Sequence, residues 1–157
     1  MERIGFGARF GAALIDVVIL IITMSIVGVV FGAGAFAMAS AGQMTGFSIG
    51  TLIVMLIPLA YTSTEILMAG TPGKKVLKLA IRNEDGSVAD QETLAKRWAF
   101  KSSASILQFL AALTTMSIFI TVGSIAGLIV MVGCFFVFGA SRQAFHDKFA
   151  KTAVYKV

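Results

Sequence analysis

The sequence predicts an all-α membrane protein. The expected architecture is a four-transmembrane-helix bundle whose cytoplasmic loop pairs with the C-terminal tail in a small β element. Three observations predict it. Of 157 residues, 57% are hydrophobic and 13% are charged, about half the charge of an ordinary soluble domain. The charges are clustered, leaving Val17–Thr64 (48 residues) and Ser102–Ser141 (40 residues) without any. A spanning helix needs about 20 residues, so each block is two spans long. Finally, with four crossings all 13 Lys and Arg share one side with both termini, which is the positive-inside pattern. Three crossings would put the basic tail outside. A mean hydropathy of +0.90 excludes a disordered chain and most soluble enzymes. The charge distribution argues against a nucleic-acid partner despite the net charge of +5.

The whole chain, 1–157, reads as one membrane domain. The first span covers residues 10–31. It exceeds the 7–15 apolar residues of a secretory leader and contains Asp16, so it reads as a retained span. Gly32–Phe47, rich in Gly, Ala and Ser and uncharged, reads as a short outer loop with room for a small interfacial helix. The second span covers 48–68, and Pro58 within it frees the carbonyl of Val54 and predicts a kink. Gly70-Thr71-Pro72-Gly73 ends that span with turn chemistry and opens the cytoplasmic loop, 70–97. Val76–Arg82 alternates with the period of a strand, and Asn83–Gly86 is a turn. Asp90–Lys101 forms an amphipathic helix leading into the third span, with Trp98 at the headgroups and Lys96, Arg97 and Lys101 near lipid phosphates. A single 40-residue helix would be about 60 Å long, twice the hydrocarbon core, so the last block must turn, between Met116 and Gly123. The third and fourth spans are then 98–117 and 122–141. In the cytoplasmic tail, 142–157, Thr152–Val157 is a second strand. It pairs with Val76–Arg82, because either strand alone would leave its backbone groups unmet.

Few residues carry chemistry. Arg9 and Asp16 lie on nearly one face of the first span, about 10 Å apart along its axis. That is too far for a direct pair, so each must meet another partner. Asp16, inside the apolar run, has two readings: an ion or proton site, or a polar clasp locking the first span to the cytoplasmic tail. Glu65 shares a face with Pro58 and Tyr61, near Thr62 and Thr64. It either lines a polar cavity or reaches water at the interface. Arg142 and His146 stand at i and i+4 beside Asp147, with Phe145 and Phe149 as interfacial anchors. The alternative is a basic tail resting on anionic lipid. Lys74 belongs to Thr71-Pro72-Gly73-Lys74-Lys75, which lacks the spacing of a phosphate loop and a following helix. Gly7/Gly11, Gly28/Gly32 and Gly123/Gly127 match the small-residue packing pattern. With one cysteine, Cys134, and one histidine, no disulfide, metal site or cofactor is expected. No nucleophile or paired carboxylates stand at catalytic spacing, so the chain does not read as an enzyme.

Gly7-Ala8-Arg9 with Asp16, then Thr71-Pro72-Gly73-Lys74-Lys75-Val76-Leu77, then His146-Asp147-Lys148-Phe149-Ala150-Lys151-Thr152, resemble the RDD family. These are small multi-pass bacterial membrane proteins named for one arginine and two aspartates. The motif match places those at Arg9, Asp16 and Asp147. The resemblance covers nearly the whole chain. Two positions depart from it: Lys78 stands where the family often has Gly, and Lys151 interrupts the small-residue step before Thr152. The resemblance implies the bacterial cytoplasmic (inner) membrane and a transport role, including cation/proton exchange.

Two functions follow as expectations. In the first, Arg9, Asp16, Asp147 and Glu65, supported by Tyr61, Arg142, His146 and Lys74, form a cytoplasm-facing site for monovalent cations or protons. Four spans enclose little volume, so a homo-oligomer or partner membrane protein is implied. In the second, the same charges are a structural clasp in a non-transporting scaffold or accessory subunit. Both place anionic lipids at the cytoplasmic face.

Overall fold

The computed structural model describes residues 2–40 and 44–157, with the side chains of all but 32–49. Helix α1 runs Phe6–Ser40 and α2 runs Met44–Met68. The outer loop expected over Gly32–Phe47 is therefore mostly helix. Its Ala- and Gly-rich sequence carries no charge, and a backbone in an apolar setting must satisfy its own hydrogen bonds. The rest of that loop, residues 41–43, lies outside the described residues.

A five-residue helix follows, α3 (Pro72–Val76), with Thr71 in extended backbone before it and Pro72 at its first position, where a missing N–H is harmless. The Thr71–Lys75 motif itself forms this short helix, and among the described residues no further helix follows it before the strand. The start of the strand is corrected. Val76 belongs to α3, Lys78 takes a left-handed φ of 55°, and strand β1 begins only at Leu79 (Leu79–Asn83). Next come α4 (Gln91–Lys101), capped by Asp90 accepting from Thr93 N–H, and α5 (Ser103–Thr114). The hydrogen bonds Ser102 N–H to Trp98 O (2.8 Å) and Ile106 N–H to Ser102 O (2.9 Å) carry α4 into α5.

Thr115, left-handed at φ 56°, makes the turn into α6 (Ser117–Cys134), which continues as a 3-10 turn, Phe135–Phe138. The turn between the last two apolar helices thus comes at Thr115–Met116, before the expected Met116–Gly123. The last apolar helix occupies 117–138 rather than 122–141. Periodicity alone could not place a turn inside an uncharged block. Helix α7 (Phe145–Phe149) and strand β2 (Thr152–Lys156) complete the chain.

Among the described residues, three helices are long and apolar enough to cross a membrane: Phe6–Phe31, Gly50–Met68 and Ser117–Phe138. The fourth apolar helix, α5, has 12 residues, about 18 Å. Helix α1 packs on α2, α2 on α4 and α5, and α5 on α6. Gly123 and Gly127 permit the last contact. A Cβ on Gly123 would sit 3.2 Å from Leu107 Cβ and 3.3 Å from the Ala104 carbonyl, and one on Gly127 would sit 3.4 Å from Ala104 Cβ. The apolar faces elsewhere are open, as at Ile21, Val29 and Leu128, which suits a lipid solvent.

The packed core sits at the charged end. Strands β1 and β2 pair antiparallel, with Ile81 opposite Val154, so the expected pairing of loop and tail is present. Residues 3 and 4 add to the outer side of β2 through the Arg3–Tyr155 bridge and Ile4 N–H to Val154 O (2.9 Å). Leu79, Ile81 and Val154 pack with Ala12, Ala89 and Leu94. The cap exposes polar residues such as Glu84, Asp85 and Lys151 and is held by an apolar core of its own, which spans packed in lipid do not need.

Two outcomes are expected for detergent-solubilised protein. Leu79→Ala, at a 2% exposed core position, lowers stability by about 2–5 kcal/mol. Lys78→Gly relieves the left-handed backbone and raises it by about 0.5–1 kcal/mol. Chemical unfolding curves read both.

Candidate functional site: a two-part polar network at the charged end

The naming residues separate into two groups. In the first, Arg9 of α1 bonds the Asp147 carboxylate of α7, and its other nitrogens donate to Ile4 O (3.2 Å) and Arg142 O (2.8 Å). Arg97 of α4 takes the other side of Asp147, with Nε to Oδ1 at 2.8 Å. Its Nη1 donates to Glu65 Oε2 of α2 at 2.6 Å. The second oxygen of Glu65 receives Lys74 of α3 at 2.5 Å and Lys101 at 2.8 Å. Glu65 and Arg97 are 1% exposed and Asp147 is 0% exposed. Ion pairs thus join α1, α2, α3, α4 and α7.

The second group centres on Asp16. Its Oδ1 accepts from Tyr61 O–H (2.6 Å) and Gly73 N–H (2.7 Å), and its Oδ2 accepts from Thr71 O–H (2.5 Å). The carboxylate therefore supplies acceptors to free donors at the start of α3, as a capping side chain does. The close approach requires glycine at 73. A Cβ there would collide with the Ala12 carbonyl and lie 2.7 Å from Asp16 Oδ1. The Thr71-Pro72-Gly73 motif is thus the receptor for Asp16.

Several expectations change here. Arg9 and Asp16 do meet separate partners, as their spacing requires. The clasp expected between Asp16 and the tail is instead one between Asp16 and the loop after α2; Arg9 holds the tail. Glu65 does not reach water. Arg97 turns inward to Glu65 and is buried rather than exposed to a lipid surface, Lys101 also bonds Glu65 but stays a quarter exposed, and Lys96 pairs with Glu92 in the open. Arg142 stays peripheral, half-exposed, donating to Glu2 (3.0 Å) and Arg3 O (2.8 Å). Phe145 and Phe149 pack on Phe100 at 5.5 and 4.8 Å between ring centres. Arg97 is the functional side chain that composition alone places at the wrong surface. Its signal is the i, i+3, i+7 alignment of Leu94, Arg97 and Lys101, which puts Arg97 on the face that buries Leu94.

Burial tends to raise the Asp147 carboxyl, but Arg97 and then Arg9 outweigh it and hold the group well below the usual carboxylate range. Burial, reinforced by Arg97, pushes His146 down to about 3 against the pull of Asp147, so the imidazole is neutral. Its Nε2 lies 3.5 Å from Asp147 Oδ1, while Nδ1 has no partner among the described residues. Burial also lowers Lys74, to about 8, despite Glu65.

Both groups border one cavity of about 290 Å³. Its polar floor is Arg9, Asp16, Glu65, Lys74, Arg97, Lys101 and His146. Its apolar walls include Phe10, Ala13, Cys134 and Val137. Among the described residues, no three His, Cys, Asp or Glu side chains converge as a metal site.

The family model described as the RDD family matches residues 3–151. No curated protein matches the chain, and no solved structure does.

Two outcomes test this geometry. Gly73→Ala displaces Asp16 from α3 and costs about 1–3 kcal/mol, the penalty for orphaned buried polar groups. It should match Asp16→Asn in unfolding assays. Acidification should weaken the fold. Below about pH 6.5 an unfolded chain protonates its histidine, while folded His146 stays neutral down to about 3. Between these limits the unfolded state binds the extra proton and stability falls with pH, by roughly 2 kcal/mol from pH 7 to 5. His146→Gln should flatten that part of the profile.

Proposed function

We propose, from the premise that this chain belongs to the RDD family, that it is a non-transporting membrane scaffold or accessory subunit. It resides in the bacterial cytoplasmic membrane with both termini inside. The last turn of α4 and all of α5 together make a fourth crossing beside the three long spans, because α5 packs along α6 and continues from α4 by helical hydrogen bonds.

One observation carries this reading: the three carboxylates of the site are occupied by fixed donors. Asp16 holds three hydrogen bonds. Glu65 holds three cations. Asp147 holds two guanidiniums and the Ala144 N–H. A site that exchanges hard cations needs several oxygen ligands free to turn toward the ion. Here those oxygens tie the cap to the helices. The open apolar faces of α1 and α6 supply the surface on which lipid or a partner membrane protein packs.

Cation/proton exchange is the second reading. Its support is the cavity, which Asp16 and Glu65 both border beside Lys74, an ammonium lowered to about 8 and so able to exchange protons near neutrality.

Proteoliposomes separate the two. The scaffold reading expects cation-driven proton movement equal to that of empty vesicles, with Asp16→Asn lowering the amount and stability of protein in the membrane. Flux in the wild type that vanishes in a stably inserted Asp16→Asn protein would establish exchange instead.

A further inference from the structure

Helices α1 and α6 border a common cleft without packing along each other. Packing runs α1 on α2, α2 on α5 and α5 on α6, and among the described residues no comparable contact joins α1 to α6. Their charged-end segments meet where Phe6 stacks on Phe138, at 4.4 Å between ring centres. The cavity of about 290 Å³ lies here, walled by Phe10 and Ala13 of α1 and by Cys134 and Val137 of the opposite side. Phe10 is half-exposed, Cys134 is exposed, and Ala13 faces outward, so the walls open to the surrounding apolar medium.

The floor is cationic. Four cations, Arg9, Lys74, Arg97 and Lys101, border the cavity, while the network holds three carboxylates, Asp16, Glu65 and Asp147. One positive charge is left over. It is concentrated on the lysines, whose two ammonium groups share the single oxygen Oε1 of Glu65. Each ammonium has three N–H donors, and among the described residues both donate to Glu65 alone. His146 also borders the cavity. It is nine-tenths buried, and its Nδ1 is unpartnered. A neutral imidazole nitrogen either donates to or accepts from a hydroxyl, so the unpartnered Nδ1 suits a hydroxyl in either tautomer.

We propose that this cleft binds an anionic phospholipid from the leaflet at the charged end, with its phosphate on Lys74 and Lys101 and its first acyl carbons between Phe10, Ala13 and Val137. An apolar slot open to the membrane, with a positive floor and spare N–H donors, complements an amphiphile with a negative head. A soluble anion would leave the apolar walls unfilled, and an apolar segment of a second copy would leave the surplus charge unmet. The unpaired imidazole nitrogen favours a headgroup that also carries hydroxyls, as phosphatidylglycerol does. The inference goes beyond the scaffold and exchange readings and holds under either.

Native mass spectrometry of the full chain, released from nanodiscs of mixed phosphatidylglycerol and phosphatidylcholine, tests it. One retained phosphatidylglycerol is expected, with phosphatidylcholine lost first. Lys101→Ala should weaken that retention about fivefold. Ala13→Trp fills the cleft from an exposed position whose side chain makes no ion pair or hydrogen bond, and should abolish retention while leaving thermal stability unchanged. Equal retention of both lipids, or retention untouched by Ala13→Trp, would overturn the proposal. So would displacement of the lipid by millimolar inorganic phosphate, which would mark a free-anion site. A dimer that Ala13→Trp dissociates would assign the cleft to a second copy.

Discussion

Arg97 lying between Glu65 and Asp147 is the contact on which the arrangement depends. Moving an ion out of water costs several kcal/mol even after relaxation, and all three side chains are essentially fully buried. None is tolerable there alone. Arg97 spans both carboxylates with a planar fork of donors, a geometry that a lysine ammonium does not offer. The flanking cations complete it: Lys74 and Lys101 on Glu65, and Arg9 on Asp147. The consequence is register. Five helices from separate parts of the chain must hold their charged ends at one depth, or a buried charge goes unmet.

The Asp16 group solves a different problem. Helix α3 is too short to be stable by itself, and it must turn the chain from α2 into β1. Asp16 supplies acceptors to its leading end, Tyr61 donates from α2, and Gly73 lets the backbone approach α1. Lys74 is then carried on α3 to Glu65. The two groups are therefore mechanically linked through α2 and α3, although Asp16 bonds no cation among the described residues.

Much of this was legible in the sequence because membrane insertion separates charges from apolar runs. The two uncharged blocks mark the long helices, and the need to pair lone strands marks the β1–β2 contact. The seven-residue step from Arg9 to Asp16 correctly denies them a direct bond. What was not legible depends on tertiary choice. Arg97 in an amphipathic helix beside Trp98 has the composition of a lipid-facing cation, and only the buried Leu94 on its face reveals the inward direction. Short α3 gives no period to detect, so Val76 and Leu77 read as strand. The turn at Thr115 has neither glycine nor proline; a threonine in left-handed backbone leaves no compositional mark. Lys78 is the opposite case, since a left-handed φ of 55° accounts for the glycine that the family resemblance associates with that position.

A double-mutant cycle on Glu65 and Arg97 tests the central claim most directly. Glu65→Gln, Arg97→Met and the double variant would be unfolded in the same detergent. The account predicts that each single change costs about 3–5 kcal/mol and that the double costs at least about 2 kcal/mol less than their sum, because the charge each single variant leaves facing a lost partner is then gone, while the losses at Lys74, Lys101 and Asp147 are common to the singles and the double. Additivity within about 0.5 kcal/mol would mean that the two side chains do not depend on each other, and would contradict it.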